Sequence, residues 1–375
     1  QKPAMHVVKR PRYAPRLDSA LELVRALRVH SAAPSPAPRL LGTHDGHFHC
    51  DEALACAMLA MLPTFRSHEL MRTRDAAALA ACDVLVDVGG VYDPASHRYD
   101  HHQRGFSESL SECGRSVKLS SAGLVWRHHG LELLRELTRP EALPESDLRV
   151  LYNKVYGGFI EHIDGIDNGI EAGVGGKAYS VSTSLSARVG YLNPAWNEDV
   201  SADDTNALFA QAMELAAGEL VSCVLRLCTE WWPARAIVAR ALDESEAAAA
   251  QLSGSERSAR RQLLLLDGGG CPWQAHLLAL EAERGVQPAA CIKYVLYADA
   301  RAQWRVQAVP QEEGSFSSKL PLPEPWRGLR DGSLSDAAAI PGCVFVHAAG
   351  FIGGHETKEG AMQLASKALT LLGAC

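Results

Sequence analysis

The sequence predicts an α/β protein, with a parallel-sheet N-terminal domain followed by a smaller α/β C-terminal domain. Short apolar runs such as VLVDVG (84–89) alternate with segments of strong helix formers such as DEALACAMLAML (51–62), and that alternation implies parallel strands joined by helices. The 375 residues suit about two domains of ~100–200 residues each. A chain that is 47% hydrophobic and 22% charged supplies apolar cores and excludes disordered and collagen-like classes.

The first forty residues carry a net charge of +6, and the other 335 carry −13. The N-terminal part, with basic residues and the loose run SAAPSPAP, reads as a basic targeting segment, 1–38. Within it LDSALELVRALRVH can wind into an amphipathic helix of the mitochondrial presequence kind, and KRPR at 9–12 resembles a nuclear signal. Mitochondrial matrix and nucleus or nucleolus are the compartments this predicts. The acidic remainder argues against a protein that coats nucleic acid electrostatically.

Order is expected to begin at Arg39. RLLGTH reads as a buried strand entering a loop, and 51–62 as a helix stopped by Pro63. A strand near HELMRTR, a short helix DAAALAA and the strand 84–89 follow, then helices over 121–137 and 146–163. The Gly-, Ser- and Asn-rich stretch 168–204 reads as a connector. A long helical pattern at 204–230 then leads into WWPARAIVARAL and a second α/β unit with strands LLLLD, CIKYVLY, WRVQAVP and CVFVHA. This sets two domains, 39–195 for catalysis and 196–375 for substrate. Ten cysteines without a CxxC read as reduced thiols, with structural zinc disfavoured. Charge or proline breaks the apolar stretches before the ~18–20 residues a bilayer demands, so no membrane insertion is expected.

Seven of fifteen histidines lie between His44 and His102, too concentrated for chance. THDGHFHCDE (43–52) follows a strand and opens a helix, and YDHHQRGF (99–106) comes after VLVDVG. Imidazoles and carboxylates together at strand ends suit Mn²⁺, or Mg²⁺ where carboxylates dominate. Asp87 ends an apolar strand, where a buried carboxylate needs a cation or donors. His44, His49, His101 and His102 beside Asp51, Asp87 and Asp100 form the candidate centre. In FIEHIDGIDNGI either Asp164 or Asp167 can complete it. Asp164 is preferred as the nearer to the expected helix end, and Asp167 precedes the turn signal Asn168-Gly169.

The order His44…His49-x-Asp51, Asp87, Asp100-His101-His102, Asp164 resembles the DHH phosphoesterase superfamily. GTHDGHFHCDEALA, VDVGGVYDP, RYDHHQRGF, PARAIV, PEPWRGLRD and HAAGFIGG, from about residue 41 to the C-terminus, resemble the melanocyte-proliferating-gene exonuclease family more closely. The resemblance implies a DHH-phosphoesterase-like fold with the site in a cleft and two Mn²⁺ ions. His44, His49 and Asp87 would hold one ion, and Asp51, Asp87, His101 and Asp164 the other. Asp100 would orient the histidines, and His102 would meet the phosphate or protonate the leaving oxygen. Superfamily members mostly carry Asp where this chain has His49. Gly353, Gly354 and His355 resemble a glycine-rich substrate loop.

The activity implied is a two-metal 3′→5′ exoribonuclease acting on single-stranded RNA. Arg104, Arg115, Lys118, Arg188, Trp196 and Lys319 are candidates to touch phosphate or stack bases. A small-molecule phosphoesterase would share the metal residues, and a silent metal-binding regulator would have no use for so many converging polar groups. The sequence leaves the oligomeric state open.

Overall fold

The computed structural model describes residues 14–32, 38–173 and 181–374. Two compact units divide at Cys228/Thr229, later than the expected 195/196. The reason is α8 (Ala202–Arg226), whose Phe209, Met213, Leu220 and Val224 are buried and which packs on helices of the first unit.

The first unit holds α1 (Ala14–Arg25), β1 (Val29–His30), β2 (Arg39–Thr43), α2 (Cys50–Met61), β3 (His68–Arg72), α3 (Ala76–Ala80), β4 (Val84–Val86), β5 (Tyr92–Asp93) and β6 (Arg98–Tyr99). It continues with α4 (Ser121–Leu137), α5 (Glu145–Val155), α6 (Glu161–Asp167), α7 (Leu185–Gly190) and α8. The sheet order is β1-β3-β2-β4-β6-β5, parallel throughout except for the β5 edge. Every residue of α2 is buried, so this run of small and apolar residues forms the central helix of the core.

Order begins before Arg39, which corrects the expectation for 1–38. The amphipathic pattern does form a helix, but α1 is part of the fold. Its Ala20 and Val24 are buried, Arg16 pairs with Glu141 at 2.5 Å and Arg25 with Glu214 at 2.5 Å. After it, β1 adds a strand to the sheet beside β3. KRPR at 9–12 and most of SAAPSPAP lie outside the described residues.

The helix expected over 146–163 starts at Glu145 and runs on through a π turn (156–160) to Asp167. The extra residue in a π turn rotates everything after it around the axis, which matters for the acids that follow.

The second unit holds α9 (Ala234–Ala250), α10 (Gly254–Arg261), β7 (Leu263–Leu266), α11 (Gln274–Glu283), β8 (Tyr294–Ala298), β9 (Trp304–Ala308), α12 (Asp331–Ala338), β10 (Cys343–Val346), β11 (Ile352–His355) and α13 (Lys358–Leu371). Its sheet runs β10-β11-β9-β8-β7, with only β7 and β8 parallel. One face carries Tyr294, Leu296 and Val306 against α13, and the other carries Leu264, Val295 and Val309 against α9 and α11.

The helical run Ala202–Ala250 contains an 18-residue window of mean hydropathy 1.5, long and apolar enough to cross a bilayer. The expectation that no stretch reaches this is therefore corrected. Half of that window is buried inside the protein, as the packing face of a core helix is. The nine described cysteines are free thiols.

Candidate metal centre

Three chain crossings deliver the site to the C-terminal edge of the parallel strands. His44 follows β2 directly, Asp87 follows β4, and Asp100, His101 and His102 follow β6. Open α/β sheets place ligands at this edge.

The first crossing is a loop anchored on both sides. Arg72, at the end of β3 and buried, donates to the Gly46 carbonyl at 2.8 Å. Its guanidinium stacks over Phe209 and Phe48, 4.6 and 5.5 Å from the ring centres. The Asn193 amide pairs with both backbone groups of Phe48, at 2.9 and 2.8 Å. In the first turn of α2, Glu52 reaches back to accept from the His49 N–H at 2.8 Å and lies 3.2 Å from His44 Nε2.

Asp87 occupies the centre. Its backbone is left-handed (φ +57°), a conformation that Asp tolerates better than most side chains. One carboxylate oxygen is 3.4 Å from His44 Nε2, and the other is 3.3 Å from His101 Nε2 and 3.4 Å from His102 Nδ1. The Ser121 hydroxyl donates to Asp87 at 3.0 Å, and the Ser121 N–H, at the start of α4, donates to Asp51 at 3.3 Å. The positive end of a helix thus faces the acids.

Asp100 is buried and accepts from the Gly90 N–H at 2.6 Å, the His102 N–H at 3.0 Å and His102 Nδ1 at 2.9 Å. An ionised carboxylate only accepts, so the hydrogen sits on Nδ1, and the His102 Nε2 is left to face outward on a half-open side chain.

Asp164 does not join the cluster. It is completely buried and accepts from the Ser120 N–H (3.0 Å), the Ser120 hydroxyl (2.7 Å), the Gly123 N–H (3.1 Å) and the Tyr156 hydroxyl (3.0 Å). It is the acid that caps α4. Asp167, one turn on, places Oδ2 3.2 Å from His101 Nε2. The preference for Asp164 rested on a helix ending at 163. The helix instead continues to Asp167, and the π turn sets which acid faces which neighbour.

Three groups of side chains bring their ligating atoms within 4.8 Å of one another: His44, His49, Glu52 and Asp87; Asp87, His101 and His102; and His49, Asp51 and Asp167. Asp87 belongs to two of them, and His49 also to two. Glu52 is the member that sequence reasoning left out, and Asp167 is the one it named as the alternative to Asp164. The signal for Glu52 was its place three residues after His49, where a helix-capping acid belongs.

The electrostatics fit a divalent cation. Burial, and then the charges of Asp87 and Asp167, push the Asp51 carboxyl well above the ordinary range. Burial also raises Asp167, helped by Asp87. Burial opposes charge on Asp87 as well, but the His101 and His44 rings outweigh it and hold its carboxyl low. Burial disfavours a charged His44, yet Asp87 and Glu52 raise its pKa to about 9. Crowded carboxylates of this kind need a compensating positive charge. Asp51 Oδ1, His44 Nδ1 and both ring nitrogens of His101 are buried without a hydrogen-bond partner. His101 Nε2, aimed between two carboxylates yet bonded to neither, is what a metal ligand looks like.

A cavity of about 290 Å³ opens over His44, His49, Asp87 and His102. Arg104 is exposed two residues beyond His102. Lys118 stands over the Phe106 ring, 5.5 Å from its centre, and that ring lies 6.4 Å from His101. Arg115, Arg188 and Lys319 are engaged by Glu161, Glu219 and Glu281, and Trp196 is fully exposed.

Gly353, Gly354 and His355 are not a loop. They form β11, paired on both edges. A Cβ at Gly354 would lie 2.5 Å from the Arg305 guanidinium, so glycine there serves packing. His355 Nδ1 accepts from the Thr357 N–H at 3.0 Å, and Nε2 donates to the Pro341 carbonyl at 2.8 Å. With both nitrogens held by backbone, this ring is structural.

The first unit is thus an α/β domain that gathers imidazoles and carboxylates at the ends of its parallel strands, a donor set that could hold metal ions. Residues 40–369 match the model of the MYG1 exonuclease family, described as an uncharacterised protein family (UPF0160), and the chain belongs to that family. It is 48% identical over 338 residues to the MYG1 exonuclease of Mus musculus, covering 89% of this chain and 85% of the relative. The Homo sapiens MYG1 exonuclease is likewise 48% identical, covering 89% and 86%. A Saccharomyces cerevisiae MYG1 protein is 40% identical over 334 residues, covering 87% and 94%. No solved structure matches the chain.

Proposed function

We propose that this protein is a metal-dependent 3′→5′ exoribonuclease acting on single-stranded RNA. The observation that carries the hydrolytic part is the gathering of His44, His49, Asp51, Glu52, Asp87, His101 and Asp167 into three overlapping, largely buried groups, with His44 Nδ1 and both His101 ring nitrogens buried without a hydrogen-bond partner. The nuclease part draws on relatives named MYG1 exonuclease.

A divalent cation held by these residues would supply Lewis-acid stabilisation of the charge that builds on the phosphate oxygens. Mn²⁺ suits the mixed donor set, and Mg²⁺ is the second choice. The protein's own groups do the rest. Ser121 fixes Asp87, Glu52 fixes the His49 backbone, and Asp100 locks His102 so that Nε2 faces the substrate. From there Nε2, when protonated, can hand a proton to the departing 3′-oxygen. Work in nucleus and mitochondria is also proposed, the nucleus on the KRPR cluster at 9–12 and mitochondria on the net charge of +6 over the first forty residues.

The test is turnover of 5′- and 3′-labelled single-stranded RNA, DNA and pyrophosphate with Mn²⁺, Mg²⁺ or EDTA. Stepwise loss of 3′-terminal nucleotides from RNA, abolished by EDTA, is the expected result. Cleavage of pyrophosphate alone would favour a small-molecule phosphoesterase.

A further inference from the structure

The cavity above the metal cluster contains a cation that the hydrolysis itself does not use. Arg74 follows the end of β3, and Asp45 follows the end of the neighbouring parallel strand β2, whose Thr43 is in register with Arg72. Arg74 lines the same cavity as His44, His49, Asp87 and His102, and is the single Lys or Arg among the described residues that do so. Its ion-pair partner within 4 Å is Asp45, at 3.6 Å, and both side chains are more than half exposed. Among the described residues, none of Asp51, Glu52, Asp87 or Asp167 pairs with it within that distance.

An exposed ion pair at that separation is worth little, so the guanidinium is available to an incoming anion that binds it at two points. The phosphate being cleaved is addressed by the metal-ligating cluster and by His102. A guanidinium standing off from that cluster, in one continuous cavity with it, fits a second phosphate.

We infer that Arg74 binds the phosphate next to the one cleaved, with the Asp45 carboxylate as a weak competitor for the same guanidinium. The site then selects substrates with two phosphates on one nucleoside, as a polynucleotide chain provides, over substrates with one. The inference rests on the phosphodiesterase reading and narrows its substrate class.

The test compares calorimetric binding of thymidine 3′,5′-bisphosphate and thymidine 5′-monophosphate to the full chain, with and without Mn²⁺. Wild-type protein should prefer the bisphosphate by about tenfold, the scale of one charge-assisted hydrogen bond. Arg74→Gln should bring the preference close to one, Arg74→Lys should keep part of it, and Asp45→Asn should increase it. A preference that survives in Arg74→Gln, or one that Asp45→Asn leaves unmoved, overturns the inference. Failure of the phosphodiesterase reading would appear separately, as wild-type protein that does not hydrolyse bis(p-nitrophenyl) phosphate in Mn²⁺, while the bisphosphate preference is still read from binding.

Discussion

Asp167 Oδ2 lies 3.2 Å from His101 Nε2, while Asp164, three residues earlier on the same helix, is bonded to four donors and meets no histidine. The two acids therefore have different uses. Asp167→Asn should reduce Mn²⁺ affinity and turnover together and leave the melting temperature near that of wild type. Asp164→Asn should instead destabilise the fold, because its new NH₂ group would face donors where the carboxylate accepted. Calorimetric metal titration and thermal denaturation of both variants separate these outcomes, and the reverse pattern would return the ligand to Asp164.

His102 is held through Nδ1 by Asp100 at 2.9 Å with its other nitrogen outward, which marks it for proton transfer. His102→Gln should lower the rate by ~10²–10⁴-fold, the usual worth of general acid catalysis, with metal content retained. A parallel loss of bound Mn²⁺ would make His102 a ligand. Asp100→Asn should reproduce part of the rate loss, since the asparagine holds the ring less firmly.

Much of this centre was legible because its residues are local. His44, His49 and Asp51 lie in one short loop and helix start, Asp100–His102 form one tripeptide, and Asp87 is a lone acid on an apolar strand. The strands β2 and β4 were legible for a similar reason, since each holds a short apolar run ahead of the site, whereas β1, β5 and β6 are two-residue strands with no apolar run to announce them. What could not be read depended on geometry at a distance. The π turn over 156–160 leaves no simple periodic signature, so the helix end and the choice between Asp164 and Asp167 were misplaced. Gly353 and Gly354 suggested a loop, yet they are strand residues whose missing side chains admit Arg305 and Phe345. Arg72 and Asn193 anchor a loop far from them in sequence, and no local pattern announces that.

The N-terminal helix belongs to the fold. Val24→Ala should cost roughly 2 kcal/mol, in line with truncating a buried aliphatic side chain, because Val24 is buried in α1. Deleting residues 14–30 should cost more, since it also removes β1 and the Arg16–Glu141 pair. Denaturant titration checks both. A deletion that left stability unchanged would make this segment dispensable to the fold, as a targeting segment is.

A second group of histidines sets an acid limit. His129 is largely buried, its Nε2 2.8 Å from the Tyr99 hydroxyl, with Phe65 and His97 packed beside it. Burial, and then the charges of His97 and His128, lower its pKa to about 4. The unfolded chain, with an ordinary pKa near 6.5, binds this proton more readily than the folded one. The stability is therefore complete above pH 6.5 and declines as pH falls towards 4, by a total on the order of 3 kcal/mol. His129→Gln should flatten melting temperature against pH over that window. An unchanged slope would remove His129 as its source.

The central claim is that Asp87 organises a metal centre that hydrolyses phosphodiesters. Its most direct test pairs a Mn²⁺ titration with hydrolysis of 3′-labelled single-stranded RNA, on wild-type protein and Asp87→Asn. Asp87 is shared by two of the three ligand groups, so its neutralisation should cost at least one bound ion and nearly all turnover, with EDTA silencing the wild type to the same degree. An Asp87→Asn protein that kept its full Mn²⁺ content and cleaved RNA at the wild-type rate would contradict the account.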